Sequence, residues 1–296
     1  MATVRTVKRG SRTYRYLVQS YRWNGAVHKK QLYLGTSPPG DLASSRLDLE
    51  RAIWKETWFA QFDAIHTAYQ KRLAKLPPSV LEKESQDFAL EFTYDTNRIE
   101  GSTLSLEDTR RLLGRGITPA AKPLKDILET QKHAALVRQL IRKPEPIDLS
   151  RLLNWHKELF SETKPDIAGR LRDFDVRIRG SQHVPPSALE VRPMLLELIR
   201  WSTRAASRVH PVELSAEFHF RFEHIHPFGD GNGRIGRLAM NSLLNQKGFP
   251  MINIRYVRRR GYYRSLELSS LRGGPRPFLR WFFLRYSRDM QFYLGR

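Results

Sequence analysis

Apolar and polar positions alternate near the start of the chain. Tyr14, Tyr16, Val18, Ser20 and Arg22 interleave with Arg15, Leu17, Gln19 and Tyr21, a period of two that predicts a β-strand. Trp23-Asn24-Gly25 supplies a hairpin turn, and Val27 to Leu34 reads as the return strand. Pro38-Pro39-Gly40 marks a boundary. The period then changes. Leu47, Trp54, Trp58, Phe62, Ile65 and Tyr69 recur at steps of three, four or seven, predicting a helix from Asp41 to about Leu76 that Pro77-Pro78 stops. A second helix is expected over Ser79 to Arg98, ended by Gly101. Ser105 reads as an N-cap with Glu107 and Asp108 in the first turn behind it. Helical spacing returns over 124–141, 149–160, 190–204, 211–225, 234–245 and 277–293. Residues 174–186 interrupt it: Val176, Ile178 and Gly180 alternate with Arg177 and Arg179 before Val184-Pro185-Pro186, the pattern of a short hairpin.

The expected architecture is therefore mainly α, with a small β appendage in front. We expect residues 1–40 to be a basic β-hairpin appendage, 41–110 a helical region, and 111–296 a helical core with its C-terminal helices. The length of 296 residues and a 40% apolar fraction suffice for a sizeable core. The absence of cysteine removes thiolate nucleophiles, disulfides and Cys-ligated zinc, and fits a cytoplasmic protein. No apolar N-terminal segment reads as a signal peptide, and no apolar run is long enough for a membrane span, so no membrane partner is expected. A net charge of +21 changes the picture more. Residues 1–40 hold eight Lys/Arg and no Asp or Glu, and residues 251–296 hold eleven Arg against Glu267 and Asp289. Such an excess points to nucleic acid, an anionic small substrate or an acidic protein partner.

Candidate chemistry concentrates in His226-Pro227-Phe228-Gly229-Asp230-Gly231-Asn232-Gly233-Arg234-Ile235-Gly236-Arg237. Gly231 to Gly236 matches the dinucleotide pattern G-x-G-x-x-G, but Phe218–Ile225 before it reads as a helix rather than a strand. The next acidic residue after Asp230 is Glu267, too far on to hold a ribose. A calcium-loop reading fails because Arg234 falls on a ligand position. His219, His224 and His226 have poor spacing for zinc. What fits is a loop between two helices. Gly231 and Gly233 allow successive N–H groups to form an anion nest, strengthened by the dipole of the helix that follows. Asp230 can hold Mg²⁺, Arg234 and Arg237 can fork onto phosphates from one helical face, and His226 can accept a proton near neutral pH.

This segment also resembles the Fic/Fido family motif, H-P-F-x-[D/E]-G-N-G-R-x-x-R, at every defined position. The resemblance covers roughly residues 90–290 and implies a helical core that transfers AMP from ATP to a hydroxyl side chain of a target protein. By it, His226 is the base, Asp230 positions Mg²⁺ (or Mn²⁺), and Gly231, Asn232 and Gly233 line the α-phosphate hole. Arg234 and Arg237 bind the outer phosphates, and Phe228 is a core anchor. Thr96-Asn97-Arg98-Ile99-Glu100-Gly101 matches the family's inhibitory pattern [S/T]-x-x-x-E-[G/N]. In the class with an N-terminal inhibitory helix, that glutamate pairs with the second motif arginine, here Arg237, and blocks productive ATP binding. In some members the same glutamate aligns a water that removes AMP instead. Residues 176–184 resemble the family's flap hairpin, which holds the target by main-chain pairing. Gly180, Ser181, Gln182 and His183 correspond to a nucleotide-contact segment, and Tyr262-Tyr263 to a pair bordering the nucleotide. Where several relatives carry an asparagine, this chain has Ser270.

Three functions stay open on the sequence. The first is an autoinhibited protein adenylyltransferase, able also to modify itself. The second is a hydrolase that removes AMP. The third is a basic nucleic-acid-binding regulator whose nucleotide site only senses, with its N-terminal aromatics and charges as the contact surface.

Overall fold

The computed structural model describes residues 2–37, 40 and 42–295. The boundary expected at Pro38-Pro39 and the helix start expected at Asp41 lie outside them. The chain divides into two compact units, residues 1–64 and 65–296.

The first unit is a three-stranded antiparallel meander, β1 (Thr3–Arg9), β2 (Arg12–Trp23) and β3 (Ala26–Gly35), followed by helix α1 (Leu42–Trp54). The Asn24-Gly25 turn closes a register in which Trp23 faces Ala26, with φ of 49° and 81° at the two turn residues. Positive φ at both positions is what a tight hairpin with right-twisted strands requires. Leu17 meets Leu49 and Ile53 of α1, so one face of the sheet forms the unit's core. A π-helical turn, Lys55–Phe59, carries α1 into α2 (Ala60–Leu73), where a single uninterrupted helix was expected. β1 was not expected. It is exposed along nearly its whole length, so it carries no apolar alternation, and its ladder with β2 defines it.

The second unit is helical, and its expected segments are present: α3 (Pro78–Ile99), α4 (Leu106–Arg115), α5 (Leu124–Arg142), α6 (Leu149–Phe160), α7 (Ala188–Ala205), α8 (Pro211–Ile225), α9 (Asn232–Gln246) and α11 (Arg276–Met290). A reciprocal capping box between Ser105 and Asp108 starts α4 as the sequence predicts. α10 (Arg259–Leu271) is an additional helix that the apolar pattern did not indicate. α9 is buried on every side from Asn232 to Leu244, which places it at the centre of the bundle. It lies close against α8: a Cβ on Gly236 would come within 2.6 Å of Glu223 Oε1 and 3.1 Å of the Phe222 ring. Among the described residues, no helix is long and apolar enough to cross a membrane.

The hairpin expected over 174–186 is a turn without a ladder. Ser181 N–H donates to the Ile178 carbonyl at 3.1 Å, but the flanking residues make no strand pairing. The turn is pinned from the side instead, since Glu267 of α10 accepts from the Ser181 hydroxyl and, at 2.7 Å, from Gln182 N–H. The backbone edge is thereby left for another chain to pair with.

Candidate active site

Two adjoining helix ends build the site. α8 terminates at His226, which takes φ 51°, and α9 begins after Gly231 at φ 79°. The loop between them is folded by its own residues. Asn232 Oδ1 accepts from Phe228 N–H and its Nδ2 donates to Phe228 O, both at 2.8 Å, so this side chain is a staple across the loop. Phe228 is fully buried and stacks on His156 at 4.0 Å between ring centres. A Cβ on Gly231 would overlap the Phe160 ring. Glycine there answers both to the positive φ and to the packing.

Residues distant in sequence brace the loop. The buried Arg172 donates from Nε to His226 O at 2.8 Å and from Nη1 to Phe174 O at 3.0 Å. His156 Nε2 lies 3.0 Å from Asp230 O, while Gly169 N–H donates to His156 Nδ1 at 2.9 Å, so the ring is neutral with its proton on Nε2. Burial depresses its pKa to about 4, as that tautomer requires.

His226 lines a cleft of about 730 Å³. Its Nδ1 is 3.4 Å from Glu223 O, a carbonyl that can only accept, so Nε2 is left as the basic nitrogen. Burial lowers its pKa to about 4, and the ring is therefore unprotonated at neutral pH. Asp230 lines the same cleft, its side chain 43% exposed, with Lys164 as ion-pair partner and Gly231 N–H as donor at 2.5 Å. Burial would raise its pKa, but Lys164, Arg234 and the Gly231 N–H outweigh it and the carboxyl titrates below its usual range. Among the described residues no group of three His, Asp or Glu side chains is placed to hold a metal by itself. One ionised, partly exposed carboxylate fits a cation that brings most of its own ligands, as Mg²⁺ does with phosphate oxygens and waters.

The two motif arginines are both engaged. Arg234 is buried, ion-paired with the buried Glu129, and lies 4.7 Å from the Phe160 ring centre. Arg237 is 1% exposed. Its Nε donates to Thr96 Oγ1 at 2.5 Å, Nη2 to Glu100 Oε1 at 2.7 Å, and Nη1 to Tyr262 OH at 3.3 Å. Burial alone would lower its pKa; Glu100, Tyr262 and Glu223 together hold it raised. Glu100 caps α3, where Gly101 takes φ 94° and lets the chain leave the helix. Its carboxylate also reaches the first turn of α9, for a Cβ on Gly233 would overlap Glu100 Oε1. The first N–H groups of a helix have no intrahelical acceptors and carry the positive end of its dipole. The chain's own carboxylate thus sits in its own anion nest.

The remaining expected residues divide. Gly180, Ser181 and His183 line the cleft with Gly231, Asn232 and Gly233, whereas Gln182, Phe228 and Arg234 do not. The His183 ring stacks on His224 at 4.2 Å, and His224 Nδ1 is 3.5 Å from Ser270 Oγ. Tyr262 is buried, with its hydroxyl 2.9 Å from His219 Nε2. Tyr263 is half exposed and donates to the Ile99 carbonyl at 3.0 Å, tying α10 to the end of α3 that carries Glu100.

Glu129, Lys164, Arg172, His156, Glu223 and Glu267 were not anticipated. Each acts through a partner far along the chain, such as Glu129 on Arg234 at a separation of 105 residues. Glu223 alone lay within reach of a sequence signal, three residues before His226.

Residues 146–244 match the family model described as the Fic/DOC family. They form a Fic/DOC domain. The chain is similar to the protein adenylyltransferase Fic of Nematostella vectensis, 34% identical over 210 residues that cover 68% of this chain and 48% of that protein. It is also similar to protein adenylyltransferase fic-1 of Caenorhabditis elegans, 30% identical across 69% of this chain and 41% of the relative. The chain thus spans less than half the length of these curated relatives. Among solved structures, a Fic domain containing signaling protein from Bacteroides thetaiotaomicron superposes with a TM-score of 0.72 at 26% identity, covering 79% of this chain and 95% of that one. C. elegans Fic-1, residues 134–508, gives the same TM-score and identity over 85% and 75%. The Fic/DOC domain embraces α6 to α9, and α3 with Glu100 lies outside the residues matched.

Proposed function

We propose that the chain is a protein adenylyltransferase that moves AMP from ATP to a Ser, Thr or Tyr hydroxyl of a target protein, held inactive by Glu100. One observation carries the proposal. The cleft joins a neutral His226, an exposed carboxylate at Asp230 and a helix N-terminus, and the anion in that nest is the chain's own Glu100, paired with Arg237. A site built for a phosphate and filled by an internal carboxylate is a site with a brake.

In this reading His226 Nε2 takes the proton from the attacking hydroxyl. The first turn of α9 receives the α-phosphate, and Arg237, once released, receives an outer one. Asp230 holds Mg²⁺ or Mn²⁺ after Lys164 swings away. The metal supplies charge neutralisation on the phosphates when bound. The turn at 176–184 offers its unpaired backbone to an extended target segment, with His183 and the Gly180–Ser181 backbone facing the nucleotide. The names of the curated relatives support adenylyl transfer, and the motif's spacing supports these roles.

Hydrolytic removal of AMP is the second reading. Glu100 favours it in one respect: its ion pair uses Oε1, and its carboxylate lines the cleft where an attacking water would stand.

The test is incubation of Glu100→Gly protein with α-labelled ATP and Mg²⁺. Self-labelling that vanishes in Glu100→Gly/His226→Ala is expected. Its absence across a panel of candidate targets, together with release of AMP from a pre-modified target by the parent chain, would replace transfer by hydrolysis.

A further inference from the structure

The N-terminal sheet has two faces of different character. One is spent on the unit's core: Leu17, Tyr21, Leu32 and Leu34 pack on α1, and Tyr21 and Lys30 share Glu56. The register fixes what the other face presents. Thr3 faces Val18, which faces Gln31; Arg5 faces Tyr16, which faces Tyr33; and Ser20 faces Lys29. Thr3, Arg5, Ser20, Arg22, Lys29 and Gln31 are all exposed. No carboxylate occurs anywhere in residues 1–40, so nothing on the sheet opposes these cations.

The cations are not spread evenly. Lys8, Arg9 and Arg12 cluster at the β1–β2 turn, and Arg22 and Lys29 lie toward the opposite end of β2. Between them stand Arg5, Thr3, Gln31 and Ser20, whose side chains donate or accept single, oriented hydrogen bonds. That is the division of labour of a base-reading surface, with charges for phosphates at the flanks and hydrogen-bonding groups for base edges in the middle. The width suits a duplex. Three strands about 4.8 Å apart span roughly 10 Å, against a major groove of about 12 Å. A single strand would instead need open rings on which to stack its bases. Here Tyr14 and Tyr16 both pack against Tyr33, at 6.3 and 5.3 Å between ring centres, so the rings cover one another.

We propose that the open face of the β1–β2–β3 sheet binds double-stranded DNA, through phosphates at its two ends and base edges at Arg5, Thr3, Ser20 and Gln31. This surface is separate from the nucleotide cleft and does not depend on its activity.

The test uses the full chain without ATP. Fluorescence anisotropy with a mixed-sequence 20-base-pair duplex at 50 mM salt should give a Kd of the order of micromolar, as non-specific binding does. Arg5→Glu/Arg22→Glu/Lys29→Glu should weaken it at least tenfold, and should flatten the plot of log K against log salt by roughly 2–3 in slope, about 0.9 per lost phosphate contact. The milder Arg5→Gln/Lys29→Gln pair should shift both in the same direction, which guards against misfolding of the triple variant. Arg110→Glu/Arg111→Glu/Arg115→Glu, an equal charge change on α4, should leave affinity within twofold. No duplex binding by the parent chain, equal loss in the α4 variant, or tighter binding of the single strand of the same sequence would each overturn the proposal.

Discussion

Replacing Glu100 by Gln removes one charge and keeps the shape, and its consequences can be sized from the contacts of Arg237. Breaking a buried ion pair by neutralising one partner costs about 3–5 kcal/mol when the remaining charge is wholly stranded. Arg237 is not wholly stranded, since Thr96 Oγ1, the Thr96 carbonyl and Tyr262 OH still accept from it. Glu100 itself is 24% exposed, which weakens the pair further. A loss of about 2–3 kcal/mol is therefore expected, a fall of roughly 5–10 °C in melting temperature for a unit of this size. The same 2–3 kcal/mol is what an outer phosphate must overcome to claim Arg237 in the parent chain. Its removal should tighten ATP binding roughly 30- to 150-fold. The two effects run in opposite directions and meet in one assay. Calorimetric titration with a non-hydrolysable ATP analogue gives the affinity, and thermal melting with and without the analogue gives the stability. At 100 times its Kd the analogue should return about 2.7 kcal/mol, restoring most of what the substitution removed. Equal affinities for Glu100→Gln and the parent, or an unchanged melting temperature, would refute the claim that Glu100 and a phosphate compete for Arg237.

Other expectations follow from the same geometry. His226→Ala in the Glu100→Gly background should lower self-labelling about 10²- to 10⁴-fold while leaving the melting temperature within a few degrees, because the ring supports no packed core; labelling at the parental rate would remove His226 as the base. Tyr263→Phe deletes the hydroxyl that holds Ile99, a bond of about 1 kcal/mol, and should raise labelling roughly fivefold in the otherwise native chain and not at all in Glu100→Gly. A slower rate in both backgrounds would mean that Tyr263 touches nucleotide instead. Stability should pass through a maximum near pH 6.5. His156 and His226, depressed to about 4, and His219, to about 3, are held neutral by burial, so their contribution is full above 6.5 and lost as pH falls toward 4. Glu223 is raised to about 8, so its contribution is full below 4.5 and lost as pH rises toward 8, at about 1.4 kcal/mol per pH unit. Melting curves of Glu223→Gln should be flat from pH 6.5 to 8; a decline matching the parent's would show that Glu223 is ionised.

What could be read in advance depended on how far apart the interacting residues lie. The loop of 226–237 was legible because its chemistry is local: glycine, carboxylate and imidazole at fixed spacing specify a helix–nest–helix wherever they fold. The Glu100–Arg237 pair was legible only through resemblance, since 137 residues separate the partners. Arg172 and Lys164 hold the loop from 54 and 66 residues away and belong to no pattern, so their roles emerge only on folding. α10 escaped notice for another reason. Its buried positions are Tyr262, Ser265 and Ser269, at helical spacing but mostly small and polar, so hydrophobic periodicity cannot register them. The turn at 176–184 shows the converse failure. Its alternation of Val176 and Ile178 with arginines is the period of a paired strand, and the structure leaves that pairing unmade.

Arg237 explains why the brake and the fold cannot be separated. A guanidinium does not lose its proton in a protein interior, so a fully buried one must always have an anion near it. In the resting chain that anion is Glu100. A second carboxyl waits close by: Glu223 is buried, its Oε1 has no hydrogen-bond partner, and burial holds it protonated. Glu100 itself adds to that protonation, while Arg237 opposes it. Withdrawing Glu100 therefore shifts Glu223 toward its ionised form and supplies Arg237 with an internal counter-charge until a phosphate arrives. The centre can give up its inhibitory carboxylate because the neighbouring helix carries a reserve one. Activation then does not require the core around α8 and α9 to tolerate an unpaired charge, and the movement it demands is confined to the end of α3, where Gly101 already turns the chain and Tyr263 supplies the latch.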